Sequence, residues 1–332
     1  MKLIGKVLYV FAPYGGPMVK VSSPAKAILF GEHAVVYGKP AIAVALDRRM
    51  SMEVNKSDRF SADGGSLKRR RHRYIRWAAE NLWNGDPLKF TINSSIPNAS
   101  GLGSSSALCC SLAATLNYLS NSGKWPGESD IARDAFEIEY NTQGGASPTD
   151  TSTSSHGGGI LVSSRKERDP LWSLGKGGRS WEIHDLEIPT IKLVVGFTGK
   201  PSVTSKQVTK VREFYDRSSF ARETVDEIGI LVEEAVKALK SGDVVEIGNL
   251  MDRNHSLLSI LGVNSPRLQK LKDAADRHSY GSKLTGAGGG GSIIAITDDT
   301  QKVSESIEKR GGKSYIVKIT KKGTSLDLPS VG

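Results

Sequence analysis

Cysteine is nearly absent from this chain: its 332 residues hold two, and these are neighbours, Cys109 and Cys110. Two adjacent thiols cannot build a disulfide framework, which points to a reducing cytoplasm rather than a cross-linked secreted scaffold. Long apolar runs are missing too. None approaches the ~18 residues that span a bilayer, so no membrane partner is expected. The run from Val7 to Ala12 is too short for the core of a signal peptide, and residues 1–17 read as a poorly ordered leader ahead of Met18. His72, His156, His184 and His255 show no ligand spacing. Acidic charge is in short supply: 45 Lys and Arg stand against 35 Asp and Glu, a net +10. Much of the excess is local, in Lys68-Arg69-Arg70-Arg71-His72-Arg73. So dense a run suits nucleic acid or another acidic partner. No interleaved aromatics or nucleic-acid module accompany it, however. It reads instead as a solvated segment that also favours an anionic nucleotide, and no nucleic-acid partner is expected.

Two familiar phosphate signatures are also lacking. The nearest approach to a Walker loop is Gly311-Gly312-Lys313-Ser314, but the position five before Gly312 is Ile307. Gly101-Leu102-Gly103 opens no dinucleotide fingerprint, because the third glycine would fall at Ser106.

What is present is a different glycine-serine loop, Pro97-Asn98-Ala99-Ser100-Gly101-Leu102-Gly103-Ser104-Ser105-Ser106-Ala107. Leu108, Leu112, Leu116 and Leu119 follow at helical spacing. A helix start carries unpaired N–H groups and partial positive charge, so phosphate can sit there. Alone, the loop reads equally as a serine cap after a tight turn. A second motif, Ser23 to Pro40, is a strand-like apolar run broken by Lys26 and by Glu32-His33. Ionisable groups in such a run are costly unless paired or used. A third, Lys283 to Ser292, holds five glycines in the six positions from Gly286 to Gly291, directly before an apolar strand. Such a run implies unusual dihedrals or close backbone approach to a ligand.

In order and spacing, the three motifs resemble the GHMP kinase superfamily over roughly residues 18–320. Within it, Gly31 to Ala43 and the segment Gly144 to Thr153 are similar to the mevalonate kinase family, the latter in its archaeal form. Galactokinases continue differently after Gly-Glu-His, and homoserine kinases lack an aspartate at the position of Asp150. The resemblance implies an α+β GHMP kinase fold, with a ribosomal-S5-like N-terminal domain and a ferredoxin-like C-terminal domain around a shared site. It also implies ATP-dependent phosphorylation of (R)-mevalonate, with Mg²⁺ as cofactor, and mevalonate and ATP as partners; a homodimer is left open. Asp150 would be the catalytic base and Lys26 its cationic neighbour. Pro97 and Ser100 to Ala107 (Ser100, Gly101, Leu102, Gly103, Ser104, Ser105, Ser106, Ala107) would bind the nucleotide. Ser105 and Glu139, eleven residues before Asp150, would hold the metal. Glu32, His33, Thr204, Gly286, Ala287 and Gly288 would meet the substrate, with Ser202 and Ser205 as alternatives to Thr204. The rivals are phosphomevalonate kinase, a sugar kinase and, outside the class, a basic nucleic-acid-binding protein.

Length and 38% hydrophobic content suit about two domains, with a boundary near Asp185 separating 18–185 from 186–332. Strands are expected at Val19–Ser22, Ala41–Leu46, Met50–Val54, Leu88–Ile92, from Ile160, at Ile191–Phe197, after the glycine loop and at Ser314–Ile319. Helices are expected at Leu67–Leu82, Ser104–Tyr118, Ser129–Tyr140, Ser205–Leu239, Val244–Leu261, Pro266–His278 and Val303–Arg310, with a hairpin or loop over 164–181. Strands alternating with helices indicate α+β packing.

Overall fold

The computed structural model describes residues 19–97, 100–144, 146–165 and 169–327. The leader read over residues 1–17 lies outside them. The first half of the chain runs β1 (Val19–Phe30), β2 (Ala41–Lys56), β3 (Ser61–Ala62), β4 (Gly65–Ser66), α1 (Arg73–Asn81), β5 (Leu88–Ser94), α2 (Ser104–Ser120), α3 (Glu128–Gln143), α4 (Thr149–His156), β6 (Gly159–Ser163), β7 (Trp172–Lys176) and β8 (Arg179–Leu186). The second runs β9 (Leu193–Phe197), α5 (Thr204–Arg217), α6 (Ser219–Ser241), α7 (Val244–Ile260), α8 (Pro266–Ala275), β10 (Gly281–Thr285), β11 (Ser292–Ile296), α9 (Thr300–Lys309), β12 (Lys313–Val317) and β13 (Ser325–Leu326).

One sheet gathers β1 to β8, and the chain's end returns to it as β13, paired with β1. The other is antiparallel in the order β10-β11-β9-β12. With helices between β9 and β10 and α9 before β12, that order is the split βαβ of a ferredoxin-like unit. The largest buried cluster joins the two sheets. Leu29, Phe30, Ile42 and Leu46 lie in it beside Leu231, Leu250, Ile294 and Ile296. Among the described residues no helix is long and apolar enough to cross a membrane.

Several elements differ from expectation for identifiable reasons. β1 does not stop at Ser22. It continues through Pro24 and Lys26 because the register with β2 shifts between Pro24 and Ala25, and a bulge is where a strand tolerates proline. β2 is one strand, not two. It pairs with β6 over Ala41–Val44 and with β5 over Met50–Lys56, and between them Arg49 donates to the carbonyls of Ser22, Lys322 and Gly323. α1 starts at Arg73, leaving Lys68 to Arg71 in exposed turns ahead of it. Cations oppose the dipole at a helix start, so a run of them is a poor first turn. The long helix expected from Ser205 breaks at Ser218, whose backbone is extended and whose side-chain hydroxyl caps α6 by accepting from Ala221 N. The 164–181 segment contains the β7–β8 hairpin.

Candidate active site

α2 begins where the chain turns through two left-handed glycines, Gly101 (φ 85°) and Gly103 (φ 75°). Gly103 is required twice over. Its φ suits glycine alone, and a Cβ there would lie 2.7 Å from Cγ of Lys26. Lys26 therefore passes directly beneath the loop. Its backbone N–H donates to Leu102 O at 3.0 Å, and its ammonium donates to Gly101 O at 3.3 Å. The same ammonium lies 2.9 Å from the Asp150 carboxylate, in the first turn of α4. Lys26 is 2% exposed and Asp150 32%, so a buried cation meets a carboxylate that is open to a ligand.

The serines divide the work. Ser100 donates inward to Pro97 O at 2.7 Å, and Ser104 makes a long contact, 3.5 Å, to the same carbonyl. Ser105 and Ser106 donate to the Glu139 carboxylate at 2.8 and 3.1 Å. Ser106 is fully buried, so its hydroxyl holds Glu139 instead of facing a phosphate. Ala107 N closes the first helical bond, to Gly103 O. Glu139 is pushed up to about 7 by burial first and by the Asp150 charge second, against the pull of Ser105, Ser106 and Lys26. Asp150, Lys26 and Glu139 thus form one electrostatic cluster at the head of α2.

The glycine loop between β10 and β11 closes the opposite wall. A Cβ on Gly286 (φ 80°) would lie 3.2 Å from Gly101 O, so the two loops touch backbone to backbone. Ser292 donates to Ser100 O at 2.8 Å, and Thr285 exchanges hydrogen bonds with the backbone of Ile28 at 3.1 Å. His33 has φ 63°, unusual for a side-chain-bearing residue, and its Nε2 pairs with Ala287 O at 2.9 Å. Burial lowers its pKa to about 4, so the ring is neutral at physiological pH. Glu32 forms a fully buried ion pair with Lys283 of β10. Burial pushes the Glu32 acid up and the Lys283 ammonium down, while their mutual attraction opposes both shifts. The second Glu32 oxygen, Oε2, has no partner among the described residues.

The matches to known families follow this geometry. The GHMP kinases N terminal domain matches residues 73–158, and the GHMP kinases C terminal domain matches 235–313. A mevalonate kinase of Methanothermobacter thermautotrophicus is 34% identical over 290 residues, covering 82% of this chain and 88% of that one. The chain belongs to the mevalonate kinase family of the GHMP kinases. A mevalonate kinase of Thermococcus onnurineus is 32% identical and covers 93% of this chain and 98% of its own. A mevalonate kinase crystal structure superposes with TM-score 0.73 at 25% identity, over 92% of this chain and all of that one. Membership makes the chain a kinase with ATP as phosphoryl donor.

Most residues expected at the site meet there, but Thr204 does not. It is the exposed first residue of α5, without a side-chain hydrogen bond among the described residues, whereas Ser202 donates to Gly288 O at 2.7 Å. Glu137 faces away and pairs with Lys176 at 2.6 Å. Sequence reasoning missed Gln143, which donates to Glu139 at 2.8 Å, and gave Lys283 no role. Helical i,i+4 spacing from Glu139 was a signal for the first. A lysine inside a wholly buried strand was a signal for the second.

A divalent metal fits the donor set. Glu139 and Ser105 offer hard oxygens, and a buried carboxylate held near neutrality gains from a cation. Among the described residues no group of three or more His, Cys, Asp or Glu converges. An ion here would complete its shell from phosphates and water, as Mg²⁺ does.

Proposed function

We propose that the protein transfers the γ-phosphoryl group of ATP to the primary hydroxyl of (R)-mevalonate, giving 5-phosphomevalonate, in the cytoplasm. The observation that carries this reading is the Lys26–Asp150 pair, 2.9 Å apart, at the mouth of the glycine-serine loop. Phosphoryl transfer needs a cradle, neutralising charge and an oriented hydroxyl. The N–H groups at the head of α2 receive the phosphates. Glu139 and Ser105 would hold Mg²⁺, which would supply positive charge against the phosphates. Asp150 accepts the proton of the attacking hydroxyl, and Lys26 keeps Asp150 aimed while stabilising the developing negative charge. Glu32, His33 and the Gly286-Ala287-Gly288 turn form the substrate wall. Glu32 Oε2 has no hydrogen-bond partner among the described residues, and because it is buried a substrate hydroxyl would have to open this wall to reach it. The buried free thiols Cys109 and Cys110 suit the cytoplasm. The same reading assigns 18–185 to the ATP-binding domain and 186–332 to the second domain.

The test is ADP release across mevalonate, phosphomevalonate, homoserine and galactose, with the product identified by mass spectrometry. Mevalonate alone should give rapid release and a mono-phosphorylated product. Turnover of phosphomevalonate without mevalonate would overturn the assignment.

A further inference from the structure

Gln143 is the last residue of α3, one turn beyond Glu139, and no motif marks it. Its amide carries two N–H groups, and both are committed: one to Glu139 Oε1 at 2.8 Å, the other to the Tyr74 hydroxyl at 3.1 Å. Both contacts are made by the amide nitrogen, which faces the Glu139 carboxylate as its acceptor. Tyr74 is buried on α1 and held in turn by Arg73. The guanidinium donates to its hydroxyl at 2.7 Å and lies 4.7 Å from its ring centre. A line of hydrogen bonds thus runs from the head of α1 to the carboxylate read as the metal ligand.

We propose that Gln143, clamped by Tyr74 and Arg73, is a positioning residue that presents Glu139 to the divalent metal. This rests on the reading of Glu139 as a metal ligand. Oε1 of Glu139 accepts from Ser105, Ser106 and Gln143. Ser105 would also be a metal ligand through its oxygen, so it would not be a dedicated support for the carboxylate. Gln143, bonded to Oε1, and Ser106, bonded to both oxygens, are the donors whose only part is to fix the carboxylate. A helix's last residue frays readily, since its carbonyl lacks an intrahelical partner. Tyr74, on a different helix, removes that freedom. Partners of this kind set ligand orientation, and losing one typically costs ~10–100-fold in metal affinity.

The measurement is Mn²⁺ binding to the full chain in the presence of ADP, followed by electron paramagnetic resonance, beside the Mg²⁺ dependence of turnover. Gln143→Met keeps the side chain's bulk and removes both donors. It should weaken Mn²⁺ binding about tenfold or more and raise the Mg²⁺ needed for half-maximal rate in step, with kcat at saturating Mg²⁺ largely retained. Tyr74→Phe leaves Gln143 bonded to Glu139 but unclamped, and should give a smaller shift in the same direction. It also serves if Gln143→Met folds poorly. Wild-type Mn²⁺ affinity in both variants overturns the proposal, whatever happens to thermal stability. A wild-type protein that binds ADP but no Mn²⁺ overturns the reading of Glu139 itself, a distinct result.

Discussion

The base role proposed for Asp150 rests on position: a partly exposed carboxylate beside a buried ammonium 2.9 Å away. Asp150→Asn keeps the size and removes the basicity. We expect kcat to fall by about 10²–10⁴-fold with little change in ATP or mevalonate affinity, because the loss is felt mainly in the transition state. Steady-state kinetics beside a thermal melt checks it; near-normal kcat would reduce Asp150 to a helix-start residue. Lys26 and Glu32 stood out in the sequence as ionisable groups inside an apolar run, whereas Asp150 and Glu139 were expected only through the family resemblance and their eleven-residue spacing. Gln143 was not legible, because it is neutral and acts through contacts with Tyr74 and Glu139 that only the tertiary fold assembles. Thr204 was misplaced for the converse reason: the turn from Lys200 to Val203 sends Ser202, not Thr204, to the glycine loop.

At the level of elements, α4 is a helix that was not among those expected. Ser, Thr, Pro and Asp crowd it, and these residues favour turns. Yet Thr149 and Thr151 to Ser155 are buried in a helix. Several of their hydroxyls bond to nearby backbone: Thr153 to Thr149 O at 2.6 Å, Ser154 to Pro24 O at 3.0 Å, Ser155 to Glu128 O at 2.7 Å, while the buried Ser152 hydroxyl has no partner among the described residues. Small side chains let the helix lie close against β1, which is what brings Asp150 to Lys26. The far end of α4 is held by His156, bonded to Glu128 of α3 at 2.6 Å and to Asp185 of β8 at 3.0 Å, with Trp172 of β7 against its ring edge. The hydrogen bond to Glu128, opposed by burial and joined by that to Asp185, raises the His156 pKa. A raised folded pKa stabilises fully below the unfolded value of about 6.5 and fades as pH climbs through the folded one. His156→Gln should therefore cost more stability at pH 5.5 than at pH 9, measured by urea denaturation. An equal cost at both would show that the ring acts only by packing. β1 and β2 were half legible for a related reason: pattern breaks at Pro24 and Arg49 look like ends, and only sheet register shows them to be a bulge and a change of partner.

On the scale of the whole molecule, the site exists because two separate sheets are held together at one seam. Apolar burial supplies most of the hold, through the cluster that unites Phe30 and Leu46 with Leu250 and Ile294. The Lys283–Glu32 pair adds a different constraint. Both side chains are essentially inaccessible, at 0% and 1% exposure, one from each sheet's half of the chain. Removing one partner of a buried ion pair strands the other charge and typically costs about 3–5 kcal/mol, whereas replacing both by apolar residues is often neutral or stabilising. Lys283→Met alone should thus destabilise the protein by roughly that amount. Adding Glu32→Met should restore most of the lost stability, because no unpaired charge remains. Activity should follow another course. With Glu32 gone, the proposed substrate wall loses its carboxylate, so the double variant should be stable yet poor at binding mevalonate, seen as a raised KM. Urea denaturation of the wild type, the single variant and the double variant, read beside their kinetics, separates the two roles. If the double variant were as unstable as the single, the pair would not be behaving as an isolated buried charge pair. If it recovered activity together with stability, Glu32 and Lys283 would be an architectural pin across the seam and nothing more.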